Sequence, residues 1–448
     1  MSKNTLIKNV SVVNENNISV TSIFIKNGKI TKIGDVEGLS ADLIIDGKGK
    51  FLLPGIIDAQ VHFRDPGLTH KADLNSETRA AVAGGVTSFM DMPNTQPNVL
   101  TIELLEEKYK IAAEKSLANY GFFMGINMDN LADVMQMDTS RFFALSDDGL
   151  YFTKRGNLLA DHTEFLDELF EKANCIIALH AEKEKKVIAN EDKYKEEYGE
   201  KIPFHLHPEI RDEDVCFEAT KDLVELAKKN GTRLHILHLT TAKEAELFRN
   251  DIPLKEKKIT TEVCVQHLWF NSDDYAHLGA KIKWNPAIKS KENQDGLLQA
   301  LLDDHIDLVT TDHAPHTKEE KSGNYFHAKS GAPMIQHSLN VMLEFYKQGK
   351  ISLEKIVEKM CHNPAVLYDI ENRGFIREGY AADLTLVDLD KKWKVTPDNT
   401  LYKCGWSPME GTEFSTQVTH TFVNGNLVYQ NGKINEEYRG ERLTKEEK

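Results

Sequence analysis

An acidic residue and two imidazoles fall within the short run Thr310-Thr311-Asp312-His313-Ala314-Pro315-His316, directly after the apolar Ile306, Leu308 and Val309, with Lys321 five positions further on. The apolar residues predict a buried strand that stops abruptly at a polar cluster. Such a cluster at a strand end, with Pro315 stiffening the exit, suits a catalytic loop better than a core. It places Asp312 as a metal ligand or a proton shuttle. A second cluster lies far upstream, in the segment Pro54-Gly55-Ile56-Ile57-Asp58-Ala59-Gln60-Val61-His62-Phe63-Arg64-Asp65-Pro66-Gly67. The same combination recurs between the two. Asp58, Gln60 and His62 follow Ile56-Ile57, Asp147 and Asp148 follow Ala144-Leu145, His180 follows Ala178-Leu179, and His238 follows Ile236-Leu237. A lone histidine at a strand end is more often a hydrogen-bonded structural residue. Five strands that each end in His or Asp are hard to explain as a packing accident. Imidazole and carboxylate together suit zinc without thiolate and keep a position for water.

Those residue types suit metal-assisted hydrolysis of an amide. The reaction near neutral pH needs a nucleophile stronger than free water, and a metal provides it by lowering the pKa of bound water to roughly 7 while polarising the carbonyl. The departing nitrogen needs a proton, which Asp312 can relay after taking it from the water. Arg64 offers a forked donor matched to a carboxylate. Its structural alternative is an ion pair with Asp65 or Asp73.

These side chains need a scaffold that brings distant strand ends together. Between about residues 54 and 365, short apolar strands such as 86–90, 142–145, 176–179 and 234–237 alternate with helix-like segments such as 104–110 and 220–227. Repeated β-then-α of this size predicts a parallel sheet, and the length favours a closed eight-fold barrel. An open doubly wound sheet stays possible on periodicity alone, although no Gly-rich phosphate loop follows the first strand. The first 50 residues read as short strands, 6–13 and 22–26, with a hairpin turn at Asn27-Gly28 before Ile30. Strands return at 383–388 and 418–423, with a turn at Asn424-Gly425. The two β-rich ends are either unrelated caps or one small domain. The division expected is 1–53 and 366–448 as the two parts of a β-domain, with 54–365 as the barrel. Residues 181–214 break the rhythm with a charged stretch read as an excursion over the barrel mouth, its charge run a solvated helix face. Residues 439–448 are charged and expected to fray.

Composition narrows the function classes. With 448 residues and 40% hydrophobic content, the chain can bury a substantial core. A net charge of −15 argues against nucleic acid as a partner, while a small anionic substrate remains open if a few basic residues converge. The five cysteines are scattered without a CxxC pair, so neither disulfides nor a thiolate zinc site is indicated. No run is long enough to span a bilayer and the N-terminus leads straight into a strand pattern, so a cytoplasmic protein is expected.

The segments His62-Phe63-Arg64-Asp65-Pro66-Gly67, Met92-Pro93-Asn94-Thr95-Gln96-Pro97, Ser146-Asp147-Asp148-Gly149 and Asp312-His313-Ala314-Pro315-His316 resemble the amidohydrolase superfamily, and more narrowly the longer, first class of dihydroorotases. The resemblance spans essentially the whole chain. It implies a (β/α)8 TIM-like metal-dependent hydrolase barrel with a small β-sandwich-like domain formed by both termini. It implies His62, His180 and His238 as imidazole ligands, Asp148 as the carboxylate between metals, and Asp312 as ligand and acid/base, with one or two zinc ions per chain. Arg64, Asn94, Asn285 and His316 match positions that hold the substrate. The Met334-Ile335 region, after Gly331-Ala332-Pro333, matches a backbone contact to the pyrimidine ring. The implied activity is the reversible cyclisation of N-carbamoyl-L-aspartate to L-dihydroorotate in de novo pyrimidine (UMP) biosynthesis. The fold often assembles as a homo-oligomer.

One residue departs from the pattern. Gln60 stands where that superfamily usually has the first His of a His-x-His pair, and an amide oxygen is a neutral, weaker donor. One well-held zinc, or two of unequal affinity, is expected. The remaining histidines are weaker candidates. His235 is expected inside the barrel or hydrogen-bonded to its wall. His205 and His207 lie between Pro203 and Pro208 in the inserted loop and are not expected to bind metal. His267 and His313 are plausible supports for the ligands. Lys154 falls too far beyond the strand end to be a convincing bridging lysine. Two other functions compete. One is a related cyclic-amide hydrolase, allantoinase- or hydantoinase-like. The other is a catalytically silent homologue serving as a structural partner of aspartate transcarbamoylase, which only Gln60 favours.

Overall fold

In the computed structural model, which describes residues 4–148 and 159–446, the two ends of the chain meet in one sheet. Thr5–Asn14 buries Leu6, Ile7, Val10, Val12 and Val13 and pairs antiparallel with Asn17–Lys26. Asn27 and Gly28, with φ of 51° and 79°, form the turn into Lys29–Ile33, the double positive φ that a two-residue hairpin of this twist requires. Phe51–Pro54 lies parallel to the first strand and antiparallel to Leu384–Asp388, and this second pairing joins the termini. Gln417–Val423 and Asn426–Gln430 extend the sheet on the far side. Ile7, Ile23, Ile25, Leu52, Leu384 and Phe422 form its own apolar core. The reading of one β-domain built from both ends is thus the correct alternative.

The middle of the chain forms a parallel barrel. Among the described residues its strands are Ile56–Val61, Val86–Asp91, Asn119–Phe122 continuing through Met124–Gly125, Leu145–Ser146, Ile177–Leu179, Leu234–Ile236, Ile259–Cys264 and Leu308–Thr310. The ring closes where Val61 bridges His313 and the His62 amide donates to the His313 carbonyl at 2.8 Å. Every residue of the first two strands is buried, as in a sheet covered on both faces. The helices outside are amphipathic. Ile102–Lys115 buries Leu105, Lys108, Tyr109 and Ala112, one stripe at helical spacing. Glu213–Asn230 starts at an Asp212 cap, whose carboxylate accepts from the Val215 amide, and stops at Gly231 with φ 71°.

Two expectations are corrected. The tail beyond Arg439 does not fray within the described residues: the Arg442 guanidinium lies 3.5 Å from the Tyr109 ring centre and pairs with Glu106 at 3.0 Å, and Leu443 is buried. The charged stretch after His180 forms the helix Glu184–Tyr198, but its face is not simply solvated, because Glu184, Val187, Ile188 and Glu191 line the cleft at the barrel mouth. No helix among the described residues is long and apolar enough to cross a membrane.

Candidate active site

Strands that end together at one rim deliver their last side chains to one place. Here that place is a cleft of about 970 Å³ lined by His62, Arg64, Asn94, Asp148, His180, Asn285, Asp312 and His316. His238 lies behind His180, with ring centres 4.7 Å apart. All nine residues singled out by sequence are therefore gathered around one site. Several backbones are held there at a cost. Arg64, His238 and Asp312 have φ of 65°, 33° and 43°, in the left-handed region that side chains rarely adopt. The turn after Arg64 closes with Gly67 at φ 87°, where a Cβ would come within 2.1 Å of the Gln96 carbonyl oxygen.

The acidic and imidazole groups form a chain of contacts. His62 Nε2 is 3.0 Å from Asp312 Oδ1 and 3.3 Å from Asp148 Oδ2. The other carboxylate oxygen of Asp148 is 3.6 Å from His180 Nε2. His180 Nδ1 meets Asp147 Oδ1 at 3.1 Å, and His62 Nδ1 meets Asn94 Oδ1 at 2.8 Å. With protons on those outer nitrogens, a neutral imidazole at either position turns its Nε2 lone pair toward a carboxylate oxygen. Acceptors facing acceptors are stable only with a cation or proton between them. Two atoms support the same reading: Asp148 Oδ2 and His238 Nδ1 are buried without a hydrogen-bond partner among the described residues.

The donor set thus fits a divalent metal, although no three of the described His, Cys, Asp and Glu side chains are already gathered as closely as a bound ion would hold them. Carboxylates without an ion between them repel one another and spread, and the pairwise contacts are those such a spread set retains. Burial pushes the Asp312 acid up to about 7, with His180 and Arg64 opposing it. Burial also lowers the basicity of His62, while at His180 the charges of Asp148 and Asp147 outweigh burial and raise it to about 9.

Basic side chains border the acidic cluster, with Arg64 close enough to Asp312 for their charges to interact. Asp65 is taken by Lys115 at 2.8 Å and Asp73 by Lys403 at 2.6 Å, so neither structural alternative for Arg64 is realised. Its guanidinium instead donates to the Pro315 carbonyl at 3.3 Å and approaches His316 Nε2 at 3.4 Å. Lys71 stands beside them, 3.2 Å from His316 Nδ1 and 3.0 Å from Glu320. The sequence reading missed Lys71, Glu320 and Lys283, which also line this cleft. The spacing Arg64 to Lys71 across a tight Pro-Gly turn is the only signal that could have found the first.

Surrounding contacts hold the strand ends. Asp58 accepts from the Thr311 hydroxyl at 2.6 Å and from the Thr311 amide at 3.2 Å. His313 meets Glu77 at 2.8 Å, and its Nδ1 accepts from the amides of Met334 and Ile335. Those two amides are therefore spent on His313, and the cleft wall at that point is Ser330 and Gly331. Lys321 donates to the carbonyls of Lys329 and Gly331, both at 2.8 Å, and so pins that wall. His235 is interior, bonded to Thr260 and Glu262. His207 bonds Tyr325 and the Trp284 carbonyl, His205 is exposed, and His267 bonds the Pro286 carbonyl beside Asn285. Lys154 and Gly149 lie outside the described residues.

Comparison with known proteins fits this geometry. A family model described as "Amidohydrolase family" matches residues 51–428. A dihydroorotase from Methanosarcina acetivorans is 30% identical over 441 residues, covering 96% of this chain and 92% of that protein. One from Pyrococcus furiosus is 32% identical over 428 residues, covering 95% and 93%. Among solved structures, the L-hydantoinase (dihydropyrimidinase) from Arthrobacter aurescens superposes with a TM-score of 0.91 at 26% identity, over 99% of this chain and 100% of that one.

Proposed function

The chain belongs to the amidohydrolase family, and from that premise we propose that it is a dihydroorotase, interconverting N-carbamoyl-L-aspartate and L-dihydroorotate in pyrimidine biosynthesis. The observation that carries the reading is the convergence of His62, Asp148, His180 and Asp312, with His238 beside His180, on one cleft with Arg64, Asn94 and His316. Curated relatives of about 30% identity over nearly the whole chain support the same substrate.

In this reading Arg64, which makes no ion pair among the described residues, holds the carboxylate that remains outside the ring, with Asn94, Asn285 and His316 around it. Asp312 moves the proton. Burial raises the proton affinity of its carboxylate, which can take a proton from water and return it to the departing ring nitrogen. A divalent cation, zinc by the mixture of imidazole and carboxylate, supplies the Lewis acidity that polarises the carbonyl and activates water. His313 and Asp58 keep Asp312 in place through the backbone on either side of it.

The hydantoinase alternative has one observation in its favour, the close superposition on L-hydantoinase. Arg64 separates the two readings, since a neutral hydantoin offers no carboxylate to a guanidinium. A silent structural role is disfavoured by the retained His62, Asp148, His180, His238 and Asp312. Purified protein should cyclise N-carbamoyl-aspartate in mildly acidic buffer and hydrolyse dihydroorotate in mildly alkaline buffer, because ring closure consumes a proton. Faster turnover of hydantoin or allantoin than of dihydroorotate would overturn the substrate.

A further inference from the structure

We propose that this site holds its cations unequally, tightly where Asp148, His180 and His238 meet and weakly where His62, Asp148 and Asp312 meet, because Gln60 gives its amide to a thiol and not to an ion. The inference rests on the metal-dependent reading above. Gln60 is fully buried near the end of Ile56–Val61, two residues before His62, where the pairing with Val86–Asp91 shifts register between Asp58 and Val61. Its Oε1 accepts from Cys264 Sγ at 3.7 Å, and that sulfur has Thr310 Oγ1 at 3.5 Å on its other side. Gln60 Nε2 has no hydrogen-bond partner among the described residues. An N–H donor cannot ligate, and a neutral amide oxygen already accepting a hydrogen bond is a poor ligand.

Three side chains then remain at each end of Asp148, which is shared. On the His62 side they are one imidazole and two carboxylates; on the His180 side, Asp148 and His180, with His238 brought near by its ring, 4.7 Å from that of His180. Zinc favours the nitrogen-richer set, and the oxygen-richer set suits harder cations that exchange more readily. Turning the amide about its last bond would aim the oxygen where Nε2 now points, and one variant below tests that alternative.

The wild-type protein, Gln60→Leu and Gln60→His are each loaded with Zn2+, dialysed against a mild chelator, and assayed for retained zinc by elemental analysis, with circular dichroism to verify folding. Wild type and Gln60→Leu should both keep about one equivalent per chain, and Gln60→His about two. Two equally retained equivalents in the wild type overturn the inference. So does loss of zinc in Gln60→Leu relative to wild type, which would make the amide oxygen a ligand, and so does a folded Gln60→His that gains none. Should Gln60→His misfold, the comparison of wild type with Gln60→Leu decides. Zinc is read without turnover, so a different substrate leaves the inference standing. Absence of retained zinc in all three proteins overturns the metal-dependent reading and this one with it.

Discussion

Asp312 combines a strained backbone, a largely buried side chain at the cleft wall and contact with His62, and each bears on what it can do. A φ of 43° costs on the order of 1–3 kcal/mol for a residue with a side chain. The cost is held by Asp58, which grips the preceding Thr311, and by the Thr311 hydroxyl, which accepts from the His313 amide. Asp312→Asn keeps the shape and these contacts but removes the basic carboxylate. Its turnover of dihydroorotate should fall by about two orders of magnitude or more, while binding of the substrate, measured by calorimetry, stays within a few-fold because Arg64 and Asn94 are untouched. Near-normal turnover would remove Asp312 from the proton path. At this scale the sequence was informative wherever an imidazole or carboxylate closed an apolar strand. It was silent on Lys71 and Glu320, because they reach the cleft from a turn and a loop, whose side-chain directions no periodicity reveals.

Between residues and fold stand the elements that aim them, and the strand Val86–Asp91 shows how. Its last residue, Asp91, accepts from the Phe63 amide at 2.9 Å and pairs with Lys108 of the helix Ile102–Lys115 at 2.8 Å, with both side chains essentially without solvent contact. Lys108 also donates to the Met92 carbonyl at 2.8 Å. One ammonium thus fixes the carboxylate that fixes the backbone between His62 and Arg64. Lys108→Met leaves that carboxylate buried without its partner and should cost roughly 3–5 kcal/mol, read as a lowered urea midpoint. The double variant with Asp91→Asn should recover most of the loss, since an amide oxygen can still accept from Phe63. A cost below about 1 kcal/mol in the single variant would show the pair to be dispensable. Lys108 occupies an apolar stripe position of its helix, which the facing Asp91 and the Met92 carbonyl explain. Strands such as Asn119–Phe122 and Ile259–Cys264 were likewise not apparent from the sequence, since Asn119, Gly121, Thr260, Thr261 and Glu262 break the apolar run.

Across the whole molecule, a C-terminal segment braces the catalytic loop from outside. Trp406 Nε1 donates to the His316 carbonyl at 2.8 Å, the Lys403 amide donates to Glu77, and Glu77 in turn holds His313. Beside them His337 is buried between Trp393, Phe414 and Tyr402, and burial lowers its pKa to about 3. The sign follows from that depression. His337 stays neutral in the fold, whereas the unfolded chain takes up a proton at about 6.5. Its contribution to stability is therefore complete above pH 6.5 and is lost as the pH falls from there towards 3. His337→Gln should flatten the dependence of unfolding free energy on pH near pH 5 by about 1.4 kcal/mol per pH unit, measured by denaturant titrations at several pH values. An unchanged slope would mean that the histidine is not held neutral. The same scale separates what each level of description decided. Alternating apolar strands, amphipathic helices and polar strand ends are local patterns, so barrel, β-rich termini and candidate ligands could all be read from the chain alone. Which thiol Gln60 accepts from, which carboxylates Arg64 leaves to Lys115 and Lys403, and how the tail packs on Tyr109 depend on residues tens to hundreds of positions apart. Burial and charge at those points arise only when the strands close into a ring, and so only the tertiary structure decided them.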